Sequence, residues 1–140
     1  VLFGSSIEVV LGVFAFAALI VYLFVVESVA SSGSLLVSLL GEPLPVLPTY
    51  LALLVLWDLC YRIGTSWWAA VAALWRARTV SLDTATARQY RRLDLMNIGF
   101  ALVQLALLPF VLDRPLLLVA VSGHILAVAV VETAAIVLQR

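Results

Sequence analysis

The stretch IEVVLGVFAFAALIVYLFVVESV, Ile7–Val29, decides the fold class. Its two carboxylates, Glu8 and Glu27, stand near opposite ends, where each is expected to reach water at a membrane interface. A helix needs about 20 mostly apolar residues to cross about 30 Å of hydrocarbon, and this run supplies them. Three further segments of the same kind follow, over about Leu47–Trp75, Leu93–Leu112 and Pro115–Leu138.

Composition agrees with that reading. Hydrophobic residues make up 65% of the 140 and charged residues 11%, with a mean hydropathy of +1.20. Soluble domains run at about 45–50% apolar and about 25% charged. The chain is therefore expected to be an all-α integral membrane protein, one four-helix transmembrane bundle over residues 1–140. The net charge of zero argues against a nucleic-acid partner, since such binding leaves a strongly basic footprint. The expected partners are the lipid bilayer and either further copies of the chain or another membrane subunit. Val1 rather than Met opens the chain, so preceding residues are expected.

The connections differ in kind. Residues 30–46 form an outer loop with Ser, Gly and Pro punctuation. The piece SLLVSLL inside it is too short to span and suits a short surface helix or a re-entrant one. Residues 76–92 form an inner basic loop, whose SLDTATARQYRR extends the third helix inward if Ser81 or Asp83 caps it. The sequence DRP joins the last two helices in a tight hairpin, and Pro115 suits a first helical turn. Pro109 should kink the third helix near its outer end or mark the start of that turn. Arg76, Arg78, Arg88, Arg91, Arg92 and Arg140 lie on one side and Arg114 on the other. The positive-inside rule then places the basic loop and both termini in the cytoplasm of a cell-membrane protein.

The unusual residues are polar groups within the spans. Ionisable groups there are costly, at about 2.5–3.5 kcal/mol each on insertion scales, and usually face the bundle interior. At a rise of about 1.5 Å per residue, Arg62 falls near the midplane, with Asp58 one turn outward. Gln104 and His124 fall at similar depth. Asn97 and Glu132 lie further inward. At about 100° per residue, Asp58, Arg62 and Thr65 share a stripe, Asn97 and Gln104 share a face, and His124 and Glu132 lie within about 80°. These stripes suggest a polar seam through the bundle.

Chains of such residues carry protons or ions in membrane proteins, and histidine titrates near neutrality. The leading expectation is an oligomeric channel or transporter subunit. Asp58 and Arg62 would gate it, His124 and Glu132 would relay, and Gln104 and Asn97 would line the path. The alternative is a non-transporting interaction or assembly subunit. There Asp58 and Arg62 neutralise each other at i,i+4, and the remaining polar groups hold helices or a partner together. A second stripe, Trp57, Tyr61, Gly64, Trp68 and Trp75, suits packing, a subunit interface or a lipid-facing surface.

No enzyme is expected. The zinc-protease, nucleophile-elbow and nucleotide-loop signatures are absent, and Ser66 and Ser122 are the hydroxyls that a spatial pairing with His124 would use. One cysteine, Cys60, and one histidine permit neither a redox thiol pair nor a two-histidine metal site. No cofactor and no metal are expected.

Overall fold

The structure is a computed structural model that describes residues 2–27 and 34–139. The expected end of the first helix at Val29, residues 30–33 of the outer loop, and Arg140 lie outside the described residues. All regular structure among the described residues is helical: α1 (Leu2–Val21), α2 (Leu35–Leu40), α3 (Val46–Thr79), α4 (Thr84–Val103), α5 (Leu108–Val111) and α6 (Pro115–Leu138). Four helical stretches, Ser6–Val26, Val46–Thr79, Thr84–Val111 and Pro115–Leu138, are long and apolar enough to cross a membrane. This is the build of a multi-pass membrane protein. The chain groups into two compact units, Val1–Thr65 and Ser66–Arg140, with the division inside α3.

In the first unit, α1 runs into a π-helical turn at Tyr22–Val26, closed by the Glu27 amide donating to the Tyr22 carbonyl. Glu27 does not reach water as its terminal position suggests. It is 2% exposed, and its Oε2 accepts from the Leu35 amide at 2.7 Å. Ser34 makes no side-chain cap to α2, so a carboxylate from a separate helix satisfies one of the amides that every helix start leaves open. The α1–α3 packing rests on glycine. A Cβ on Gly64 would lie 2.7 Å from the Gly12 nitrogen and 2.9 Å from the Glu8 carbonyl oxygen. Beside this backbone contact, Phe16 meets Trp57 edge to face at 5.4 Å. Trp57 and Gly64 of the aromatic stripe thus pack against α1, whereas Trp75 is exposed.

In the second unit, the inner connection is shorter than expected. Residues 76–79 continue α3 and α4 starts at Thr84. Asp83 is the cap, its Oδ2 accepting from the Ala85 and Thr86 amides at 3.1 and 3.3 Å. The Thr86 hydroxyl and amide, followed by the Ala85 amide, hold this exposed carboxyl below the usual aspartate range. At about 1.5 Å per residue, the 34 residues of α3 extend about 51 Å. That exceeds the hydrocarbon thickness of about 30 Å, so one helix both spans and overhangs.

Pro109 acts earlier than a kink at its own position. Having no N–H, it leaves the Leu105 carbonyl without its i+4 donor. The Leu108 amide bonds to that carbonyl instead, and Gln104–Leu107 tightens to a 3-10 turn. Pro115 opens α6 within its first turn. Small residues line the buried faces, with Ala70 and Ala73 on α3, Ala101 on α4 and Ala135 on α6. Such residues let membrane helices approach closely. Gly123 takes no part, since nothing lies within 4 Å of where its Cβ would be.

Gly64→Ala should lower the thermal midpoint in detergent, with an overpacking penalty of about 1–3 kcal/mol. Gly99→Ala, at a helical site with nothing within 4 Å of the new Cβ, should be neutral or stabilising by up to about 1 kcal/mol. Equal effects at the two sites would contradict the close α1–α3 approach.

Candidate functional site

The intramembrane polar residues sort into four local arrangements. The first lies in the first unit, on α3. Arg62 Nε donates to Asp58 Oδ2 at 2.7 Å, across one helical turn. The pair forms as the i,i+4 spacing requires. It is not buried: the side chains are 64% and 59% exposed.

The second lies in the second unit and centres on the half-buried Asn97 of α4. Its Oδ1 accepts from Ser66 Oγ at 2.9 Å. Its Nδ2 donates to the Ser66 carbonyl at 3.0 Å and to Glu132 Oε1 at 2.5 Å. One side chain thereby joins α3, α4 and α6. Glu132 is 0% exposed, and its Oε2 has no partner among the described residues.

The third lies toward the ends of α3 and α6. Arg76 Nη2 donates to both carboxylate oxygens of Asp94 at 2.9 Å. These side chains are only 16% and 6% exposed. The guanidinium also lies 4.0 Å from the Tyr90 ring centroid, a cation–π contact. The Gln139 amide oxygen accepts from Arg76 Nη2 at 3.0 Å and Nε at 3.2 Å in the orientation that satisfies both groups.

His124 makes the fourth. It is buried, its ring 5.9 Å from that of Trp67, and neither ring nitrogen has a hydrogen-bond partner among the described residues. Gln104 is buried too, with Oε1 likewise unpartnered. Among the described residues, no hydrogen bond joins Gln104 to His124.

So of the six residues singled out from sequence, the structure joins Asp58 to Arg62 and Asn97 to Glu132. Gln104 and His124 are buried but bonded to neither pair. Ser66 serves Asn97 rather than a histidine base, and Ser122 is exposed.

The chain belongs to the DUF7530 family. That is a family of unknown function, and the match to it covers residues 1–135. Neither a curated protein nor a solved structure matches the chain.

Sequence reasoning missed the Arg76–Asp94 pair in this DUF7530 member. Arg76 reads as one topology charge among several, yet Asp94, Asn97, Ala101 and Gln104 recur at spacings of three and four on one face of α4 and its continuation. That heptad-like pattern is the available signal, and three of the four are buried. The partner stripe on α6 is His124, Val128, Glu132 and Ala135, all buried.

Truncating one member of a buried ion pair costs about 3–5 kcal/mol, because the other charge is left alone, whereas replacing both by apolar residues is often neutral. Arg76→Leu should therefore unfold at clearly lower temperature or denaturant concentration. Adding Asp94→Leu should restore most of the loss. A double variant no better than the single would show that the pair does not act as a unit.

Proposed function

We propose that the protein is a membrane interaction and assembly subunit that associates with copies of itself along α3. The observation that carries this is the exposed Asp58–Arg62 pair at the centre of a spanning helix. Only Nε of Arg62 is committed to Asp58; the Nη donors have no protein partner among the described residues. Hydrocarbon offers nothing to satisfy them, so another protein surface is the appropriate cover.

A second copy fits that surface. Leu51, Val55, Asp58, Arg62, Thr65 and Ala69 recur at alternating spacings of four and three along α3. All are exposed except Thr65, which is half-buried. This is the a/d spacing of helices that pack at a shallow angle. Copies inserted in one orientation and related by a two-fold axis along the membrane normal present identical patches. Asp58 and Arg62 of both then fall at one depth, where each guanidinium reaches two carboxylates. The spans form a four-helix bundle in the cell membrane. Both termini and the exposed Arg78, Arg88, Arg91 and Arg92 face the cytoplasm, in keeping with the positive-inside rule.

The chain should run as a dimer or higher oligomer by light scattering in mild detergent. Val55→Cys in a Cys60→Ser background should cross-link between copies. Ala69→Trp, bulky at an exposed stripe position, should give monomers with an unchanged thermal midpoint. A single-chain mass for the unmodified protein would overturn the reading.

A second reading is favoured by the atoms of His124, Gln104 and Glu132 that have no hydrogen-bond partner among the described residues. In it the oligomer passes protons or a small ion, with Asp58 and Arg62 as gate and His124 and Glu132 as relay. Reconstituted liposomes should then show flux that Asp58→Asn and Arg62→Gln alter. Flux of every tested ion at the level of empty liposomes would remove transport and leave assembly standing.

A further inference from the structure

We infer that Glu132 is a reversible proton-binding site, kept neutral inside the second unit because it is fully enclosed there with no cation left to balance it. This rests neither on association between copies nor on passage of any ion.

The argument begins with Asn97. Ser66 Oγ can only donate to an amide oxygen, and the Ser66 carbonyl can only accept from an amide nitrogen. Together they fix which way the Asn97 amide points. The remaining N–H therefore faces Glu132, and Oε1 is its acceptor. One N–H suits the carbonyl oxygen of a neutral acid. A carboxylate wants several donors around both oxygens, and Oε2 has none among the described residues.

Charge balance points the same way. The charged groups that act on Glu132 from the helices packed beside it are Arg76 of α3 and Asp94 of α4, and His124 lies two turns along its own helix. Arg76 is the nearby cation, and it is already engaged by both oxygens of Asp94, by Tyr90 and by Gln139. An ionised Glu132 would leave one uncompensated negative charge at a site that is 0% exposed. Isolated buried charges of that kind neutralise rather than persist. A proton on Oε2 removes the charge and leaves the Asn97 bond in place. Oε2 is then the atom on which the proton arrives and departs.

The test is infrared difference spectroscopy on proteoliposomes of the full chain. The unmodified protein at neutral pH should show the carbonyl-stretch band of one protonated carboxylic acid. The band should shift in heavy water, decline as pH rises, and be missing from Glu132→Gln. Glutamine offers Asn97 the same neutral acceptor, so this variant should keep its helix content and melt with the parent at neutral pH. Absence of the band at every pH where the protein remains folded would overturn the proposal. So would a band insensitive to pH and heavy water, which would mean a trapped proton. A Glu132→Gln variant that folds normally yet keeps the band would reassign it to another carboxyl.

Discussion

The second unit depends on one saturated side chain. Asn97 commits both amide protons and its oxygen to Ser66 and Glu132, and so fixes the register of three helices at one level. Measured hydrogen bonds between membrane helices average only about 0.6 kcal/mol. Asn97 therefore contributes specificity more than strength. An apolar surface can slide by a turn with little loss, but a slipped Asn97 would strand two donors where no water competes to satisfy them. The buried alanines at 70, 73, 101 and 135 complement it, because small side chains bring the backbones within reach of an amide as short as asparagine's.

The sequence made the spans legible because hydrocarbon thickness sets their length, and composition alone reports it. It also made the breaks legible. Asp83 caps, Pro115 starts a helix, and Pro109 disrupts one, since each effect is local chemistry. What it hid was which face points where. In a soluble protein the polar face marks the outside. Here the outward face is apolar as well, so Phe100 and Val119 can be exposed while Asn97 and Glu132 face inward. On α6 the structure buries His124 and Glu132 but leaves Ser122 and Thr133 exposed. For α3 reading polar as inward fails, because Asp58 and Arg62 face outward. Their mutual spacing, though legible, could not say whether a third group covers them. The 3-10 turn at Gln104 was hidden for another reason: the proline acts on a carbonyl four residues earlier.

The two ion pairs show how placement decides what a charge can do. Arg76 and Asp94 are enclosed, their donors and acceptors taken up by each other, a ring and an amide. Such a pair is spent on holding α3, α4 and the end of α6 together. Asp58 and Arg62 are equally close but leave donors outward, so their unused capacity belongs to whatever lies alongside. Like charges at similar distances thus give one pair an internal structural task and leave the other on an exposed helix face.

The same distinction strengthens the proposed orientation. Counting arginines treats all of them alike, but a buried guanidinium is held by its neighbours whichever side it occupies. Arg114, the one arginine counted against the cytoplasmic assignment of the basic side, is 2% exposed at the cap of α6. Arg78, Arg88, Arg91 and Arg92 are exposed and cluster where α3 ends and α4 begins. Free arginine charge is therefore more lopsided than the raw count. Because α3 continues as a helix to Thr79 and α4 begins at Thr84, that charge sits on a stiff helical hairpin rather than a slack loop. A rigid basic hairpin beside the anionic cytoplasmic leaflet would be attracted at about 1 kcal/mol per arginine near the surface, which would reinforce the orientation that the insertion rule favours.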